Sequence, residues 1–451
     1  MSEISSSTAS YAVTEQHRSQ HGQTTTQRHR PLNKAVLGVT LGNMVEWFDF
    51  ALYSSLAVII GDIFFHSDSK ATQLIAIYAT FAAGFLMRPL GSIVFGPIGD
   101  RYGRRAALTL SITLMALATF CIALIPSYQS IGIAAPVLLV IMRLLQGLSA
   151  GGEYGGSCIF IAEHSPDAKR SFFTSWLEFG NISGFLLGGA VVSIFMFGLG
   201  EETMKAWGWR VPFVIGGLLG LIALYLRLNL DETPVFQEIK AHEAKQQSHK
   251  RSLASMLVEQ WPRLVIAMGL VAVFNVCYYI VLGYIPGYMT NELGYSNEVS
   301  SFVSMVGTFS LLILIPFSGY LADKVGRRRL IILGCALLIL FSIPAFMLLQ
   351  TKSMPLVYLA LLGLLLAQLL FEGAMGATLV SLFPAAVRFS ALALSYNVSV
   401  SLFGGTAPLI NTWLIGKYGD PVIPAYYLIA AGVVGLFAAL AVKDRTGKPL
   451  P

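Results

Sequence analysis

The sequence predicts an all-α membrane protein with twelve transmembrane helices in two pseudo-symmetric bundles of six. Three observations indicate this fold. The 451 residues are 55% hydrophobic and only 12% charged, which is about half the charged fraction of an average soluble domain. The apolar residues fall into twelve runs, and one charged decapeptide motif occurs in both halves of the chain. This composition excludes large domains outside the membrane.

The elements follow in order from the N-terminus. Residues 1–32 are rich in Ser, Thr, Gln, His and Arg, and we expect a disordered cytoplasmic tail because such a stretch buries too little surface to fold. Bundles at 33–230 and 263–442 flank a charged central loop at 231–262, and 443–451 form a second cytoplasmic tail. Each apolar run can cross a bilayer, which takes about 20 residues. The runs lie at about 35–60, 72–95, 105–125, 134–160, 171–198, 209–229, 263–289, 298–322, 330–349, 355–382, 390–415 and 423–442.

The basic residues predict the orientation in the membrane. With the N-terminus inside, 23 of the 30 Lys and Arg residues lie on the inner side and 5 on the outer side, while Arg88 and Arg143 lie within helices. Because basic residues gather in cytoplasmic loops, both termini are expected in the cytoplasm of a multi-pass protein of the cell inner membrane. The same rule explains the net charge of +6 without a nucleic-acid partner.

Cofactor and metal sites are not expected. The four cysteines lie singly in apolar runs with no C-x-x-C pair, none of the seven histidines lies in an apolar run, and the phosphate-binding motif G-x-x-x-x-G-K-[ST] is missing from the sequence. Without a nucleophile, metal cluster or cofactor motif, we do not expect an enzyme.

The decapeptide motif connects the second and third predicted helix of each bundle. Both copies fit G-x-x-x-D-[RK]-x-G-R-R, and they are offset by 223 residues. Its first glycine allows close helix approach, its second allows a tight turn, and its aspartate can accept hydrogen bonds at the start of the next helix. We expect the arginine pair at the lipid headgroups. The motif residues are Gly96, Asp100, Arg101, Gly103, Arg104 and Arg105, then Gly319, Asp323, Lys324, Gly326, Arg327 and Arg328.

Two interpretations of this motif remain open. It can anchor the topology by binding anionic lipid, or it can form charged contacts between the bundles that exist in only one state of a cycle. Parallel repeats related by an axis along the membrane normal are a transporter architecture.

The paired motif and the six-plus-six layout resemble the major facilitator superfamily. Predicted helix 4 adds Arg143-Leu-Leu-Gln146-Gly147, which is similar to that superfamily's R-x-x-Q-G motif. Helix 5 has Gly184-Phe-Leu-Leu-Gly188-Gly189 in place of the G-P-x-x-G-G of the drug antiporters, which favours symport.

Four further segments resemble the metabolite:proton symporter family: Gly42-Asn43-Met-Val-Glu46-Trp47-Phe48-Asp49-Phe50, Gly151-Gly152-Glu153-Tyr154, Trp207-Gly-Trp209-Arg210-Val-Pro212-Phe213 and Glu232-Thr-Pro234. Four others are most similar to the proline/betaine transporters within that family: Ala162-Glu163-His164-Ser165-Pro166-Asp167, Ser175-Trp176-Leu177-Glu178-Phe179-Gly180, Tyr225-Leu226-Arg227 and Pro424-Ala425-Tyr426-Tyr427-Leu428. The resemblance implies proton-coupled uptake by alternating access. Family members also carry citrate, 2-oxoglutarate and shikimate.

Acidic residues inside the predicted helices are the candidate proton carriers, because ionisable groups at membrane depth are costly and face a partner or a cavity. Glu46 and Asp49 lie near the middle of helix 1, and they can instead form structural salt bridges to Arg88 or Arg143. Glu153 and Glu178, in helices 4 and 5, can serve a proton exit path or pair with Arg88; we favour the pairing.

Substrate-binding candidates surround these acids. Arg143 can hold a substrate carboxylate bidentately or neutralise Glu46 or Asp49, and the sequence leaves both open. Aromatic rings can hold a quaternary ammonium group or simply pack. The candidates besides Arg143 are Asn43, Trp47, Tyr53, Asn275, Tyr278, Tyr279, Glu372 and Asn397.

The sequence therefore predicts a monomeric secondary transporter whose partners are a small-molecule substrate, protons and the lipid bilayer. A small zwitterion such as proline or glycine betaine is favoured, because the predicted spans carry more acidic than basic residues away from their ends. The alternatives are proton-coupled symport of a small organic acid and a nutrient receptor that does not transport.

Overall fold

The computed structural model describes residues 32–65, 70–245 and 253–451, and all regular structure in this part of the chain is helical. Twelve helices are long and apolar enough to cross a membrane, which confirms the predicted fold class. They are α1 (Leu32–Ser55), α2 (Lys70–Arg101), α3 (Arg104–Leu124), α4 (Ala134–His164), α5 (Arg170–Thr203), α6 (Arg210–Leu228), α7 (Trp261–Asn291), α8 (Asn297–Val325), α9 (Arg327–Leu349), α10 (Met354–Val380), α11 (Arg388–Tyr418) and α12 (Ile423–Ala441).

Three of the long helices are interrupted. A π-helical turn occupies Tyr279–Tyr284 of α7, and a second occupies Val400–Gly404 of α11. Gly200, with φ 77°, breaks the regular backbone of α5 near its end. Because π turns inside α-helices frequently mark functional sites, the breaks in α7 and α11 direct attention to the space between the two bundles.

The predicted tail and central loop fall partly outside the described residues. Residues 1–31 of the predicted tail and 246–252 of the predicted loop are not described, and Leu32 already begins α1. The described part of the central segment is helical, with short helices at Pro234–Lys245 and Leu253–Glu259. The central loop predicted at 231–262 therefore contains helical structure in its described residues.

Facing glycines bring the backbones of α2 and α4 into direct contact. A Cβ on Gly147 would lie 2.8 Å from the Gly84 Cα, and a Cβ on Gly91 would lie 3.0 Å from the Gly151 Cα. Small residues allow membrane helices to approach closely in this way. The contact holds the arginines of these two helices beside α1.

One end of the bundle, which we call the terminal face, carries Leu32 and the C-terminal residues 443–451. Here each motif aspartate reaches across to the other bundle. Asp100 accepts hydrogen bonds from the backbone N–H groups of Phe389 and Ser390, at 3.0 and 2.9 Å. These groups begin α11, so the aspartate caps a helix N-terminus, where negative charge is stabilising.

Asp323 makes the equivalent contact from the C-terminal bundle. Its two carboxylate oxygens accept from the N–H groups of Ser171 and Phe172, at 3.0 and 2.9 Å, at the start of α5. Among the described residues, the hydrogen bonds between the bundles lie at the terminal face or midway along the helices, such as Asn397 Nδ2 to the Gly151 carbonyl at 2.7 Å. The terminal face is therefore closed.

The first arginine of each motif pair is buried, whereas its neighbours Arg105 and Arg328 are half-buried, so the expected place of the pairs at the lipid headgroups stays a prediction. Arg104 is 0% exposed and Arg327 is 2% exposed. Arg104 donates to the carbonyls of Gly99 and Ala385 at 2.7 and 2.6 Å. Arg104 thereby satisfies carbonyl groups that close packing has removed from water.

Candidate functional site

Two ion pairs connect α1 to the arginines of α2 and α4. Arg88 Nη2 donates to Glu46 Oε1 at 2.8 Å, and Arg143 Nη1 donates to Asp49 Oδ2 at 3.0 Å. All four side chains are at most 3% exposed. Such pairs are strongly destabilised when one partner loses its charge. A proton that neutralises one of the acids, or an anion that binds one of the arginines, therefore weakens the ion pair.

Arg143 keeps one edge of its guanidinium group free. Its Nε and Nη2 atoms are buried and have no hydrogen-bond partner among the described residues, and these two atoms form the fork that binds a carboxylate bidentately. A buried polar group without a partner costs about 1–3 kcal/mol. A ligand carboxylate at this edge would remove that cost.

Hydrogen bonds also fix the position of the Asp49 side chain. Thr119 Oγ1 donates to Asp49 Oδ1 at 2.9 Å, and Gln146 Nε2 donates to Thr119 Oγ1 at 2.8 Å. Gln146 comes from the R-x-x-Q-G segment of α4. This segment therefore supplies both the arginine and the amide that orient the α1 carboxylate.

Seven aromatic rings, which we call the aromatic cluster, surround the two arginines and join the bundles. The Arg143 guanidinium lies 3.6 Å from the Tyr53 ring centroid, and that of Arg88 lies 5.0 Å from Phe50. Trp47 contacts Tyr278 across the bundles, with ring centroids 5.4 Å apart. The cluster comprises Trp47, Phe50, Tyr53, Phe81, Phe85, Tyr278 and Tyr279.

The three asparagine candidates make no hydrogen bond to the aromatic cluster among the described residues. Asn275 Nδ2 donates to the Val271 carbonyl of its own helix, and Asn397 Nδ2 donates to the backbone of α4. Asn43 is 0% exposed, and its side-chain amide has no partner among the described residues.

Glu153 and Glu178 do not pair with Arg88, which corrects the sequence-based expectation, because Glu46 occupies that arginine. Glu153 forms an ion pair with Arg227 and accepts from Ser111 Oγ at 2.7 Å. Glu178 accepts from Tyr154 Oη at 2.6 Å. Glu372 accepts from Gln368 Nε2 at 2.6 Å and contacts Glu178.

Sequence reasoning missed several partners of these acids. Arg227 and Arg388 were counted with the basic loops because they lie near helix ends, yet they are 1% and 0% exposed. Arg388 Nη1 donates to Glu163 Oε1 at 2.7 Å. The spacing of polar residues in α4, at positions 153, 157 and 163, was the available signal for a polar face toward the protein interior.

Known proteins give a consistent identification. Residues 35–450 match the family model described as sugar (and other) transporter. The chain is 42% identical over 425 residues to a proline/betaine transporter of Salmonella typhimurium, covering 93% of this chain and 85% of that protein. It is 41% identical over 428 residues to a glycine betaine/proline/ectoine/pipecolic acid transporter of Dickeya dadantii, with the same coverage.

Solved structures agree on the fold. The proton:xylose symporter XylE bound to 6-bromo-6-deoxy-D-glucose superposes with a TM-score of 0.75 at 21% identity, over 93% of this chain and 98% of that one. The chain is a multi-pass membrane transporter, not an enzyme. It belongs to the sugar (and other) transporter family of the major facilitator superfamily.

Proposed function

We propose that the chain takes up a small zwitterionic osmolyte, such as proline or glycine betaine, together with protons. The observation that carries this proposal is the free Nε–Nη2 edge of Arg143 within the aromatic cluster. The arginine edge suits one carboxylate, and the ring faces of Trp47 and Tyr278 suit an ammonium group. The names of the two curated relatives support the same substrate class.

Asp49 is the proposed link between substrate and proton. While ionised, it holds Arg143 Nη1 at 3.0 Å. When Asp49 takes up a proton, Arg143 loses its counter-charge and attracts the substrate carboxylate more strongly. Proton and substrate thereby favour each other's binding, as symport requires. Glu46 and Arg88 form a second pair that can respond in the same way.

An organic acid with two or three carboxylates fits this site less well. Each carboxylate in a low-dielectric cavity needs its own cationic partner, and Arg88 already holds Glu46 through Nη2. We further propose that the protein acts as a monomer with both termini in the cytoplasm.

Uptake by proteoliposomes tests the proposal. With an inward proton gradient, labelled proline or betaine should accumulate, a protonophore should abolish accumulation, and unlabelled betaine, proline or ectoine should compete. Citrate, 2-oxoglutarate and shikimate should not. Competition by the organic acids alone would overturn the substrate assignment, and accumulation that follows a sodium gradient would overturn the proton assignment.

A further inference from the structure

Two acidic side chains meet across the bundles midway between the terminal face and the candidate site. Glu178 on α5 and Glu372 on α10 each lie eight residues from the terminal-face ends of their helices, Arg170 and Val380, or about 12 Å at the rise of an α-helix. They are 3% and 1% exposed. Opening the terminal face would move these two helices apart.

The hydrogen bonds of this pair leave one oxygen without a donor. Glu178 accepts from Tyr154 Oη through Oε1 and from Asn181 Nδ2 through Oε2, both at 2.6 Å. Glu372 Oε1 accepts from Gln368 Nε2 at 2.6 Å, while Glu372 Oε2 is buried with no donor among the described residues. The two carboxyl groups also contact each other, with no hydrogen bond between them among the described residues. Ionised carboxylates only accept, so the two groups can hydrogen-bond each other only when one of them carries a proton.

The charge around the pair leads to the same conclusion. The other buried acids of the described chain, Glu46, Asp49, Glu153 and Glu163, each form an ion pair with an arginine. Within the described part of the chain, no ion pair forms at Glu178 or Glu372. The titratable groups of neighbouring helices that face the pair are Tyr154 and Cys158 on α4, Cys277 and Tyr278 on α7, and Tyr396 on α11. These groups are ordinarily neutral at pH 7.

We propose that Glu178 and Glu372 share one proton, carried on Glu372 Oε2, and that this proton is required for the terminal face to close. When the face opens, α5 separates from α10 and water reaches both carboxyl groups. Glu372 then transfers its proton to water. Two ionised carboxylates repel each other, so the face closes again only after a proton returns from the same side.

This proton differs from the one proposed at Asp49. It binds and leaves on the terminal side, so the pH on that side sets the rate at which the terminal face closes again. Because this proton does not cross the membrane, it adds nothing to substrate accumulation. The proposal rests on the alternating opening of the two faces that the proposed function requires. It does not depend on the substrate or on proton coupling at Asp49.

Distance measurements between spin labels test this inference without substrate or gradient. Labels at Tyr102, 73% exposed, and at exposed Arg329 report on the N- and C-terminal bundles at the terminal face, with half-buried Cys121 replaced by Ala. In the otherwise native protein the distance should lengthen as the pH rises. In Glu372→Gln it should stay short at every pH, because the amide donates the hydrogen bond permanently. Glu292→Gln, an exposed acid on the opposite face, should behave like the native protein.

Infrared spectroscopy of the native protein supplies a measurement that requires no variant. A protonated-carboxyl C=O band should be present at neutral pH and disappear as the terminal face opens, and Glu178→Gln and Glu372→Gln should each alter it. A pH-independent distance in the native protein, or an unchanged pH dependence in Glu372→Gln, would overturn the inference. Neither result bears on the uptake assay, so the two proposals fail separately.

Discussion

At the residue scale, the geometry of one guanidinium group decides how the candidate site binds an anion. Arg143 uses Nη1 for Asp49 and keeps the Nε–Nη2 edge free. Arg143→Lys should preserve the charge but lose the fork, because an ammonium is a point donor. We expect the affinity for the zwitterion to fall by about 10–100-fold, the equivalent of one charge-assisted hydrogen bond.

Competition uptake and a thermal-shift titration with betaine measure this loss. Arg263→Lys is the matched control, since Arg263 is exposed at the start of α7, and it should leave affinity unchanged. Equal affinity in Arg143→Lys and the native protein would show that the carboxylate binds elsewhere.

The sequence could predict the acids of this site better than their partners. Glu46 and Asp49 stood out because charges inside apolar runs are rare and costly. The pairing of Glu46 with Arg88 and of Asp49 with Arg143 could not be chosen from the sequence, because it depends on how the glycine contacts of α2 and α4 rotate these helices toward α1. The contact between Glu178 and Glu372 joins residues 194 positions apart, and no local sequence pattern predicts it.

At the element scale, each motif aspartate stabilises a helix of the opposite bundle. Asp100→Asn removes the negative charge and one of the two acceptors at the start of α11. The closed state of the terminal face should be destabilised by about 2 kcal/mol relative to the open state, which lowers its relative population roughly thirty-fold. Transport should slow or stop while the protein remains folded in the membrane.

Hydrogen exchange resolves the effect by helix. The amides of Phe389 and Ser390 should exchange faster in Asp100→Asn, and those of Ser171 and Phe172 should exchange faster in Asp323→Asn. Each variant serves as the other's control. Full transport activity and unchanged exchange in both variants would favour the topological-anchor interpretation of the motif.

The motif glycines set how closely the bundles approach. A Cβ on Gly96 would lie 2.8 Å from the Ser390 Cα of α11, nearer than real carbon contacts allow, so Gly96→Ala should keep the terminal face open. Gly189→Ala in α5 is the control, because nothing lies within 4 Å of its added Cβ. The spin-label distance should lengthen in the first variant and not in the second; the same distance in both would contradict this explanation.

At the scale of the whole molecule, the repeat extends further than the motif. Arg105 donates to the Leu228 carbonyl at the end of α6, and Arg328, 223 positions later, donates to the Ala439 and Leu440 carbonyls at the end of α12. Glu232 caps the start of α3, and Thr446 accepts from the Arg327 N–H at the start of α9. The sequence predicted the repeat and the twelve spans, but not that its arginines bind carbonyl groups.

The distribution of basic residues over the whole molecule predicts which side of the membrane the terminal face contacts. Because the sequence assigns 23 of the 30 basic residues to the side of the two termini, the terminal face should be cytoplasmic. With Cys121 replaced by Ala, a cysteine at Tyr102 should react with an impermeant maleimide only after cells are opened, and one at Lys352, in the α9–α10 connection, should react in intact cells. The opposite labelling pattern would show that the molecule lies in the membrane the other way round. Both proposed protons would then be released outside rather than inside.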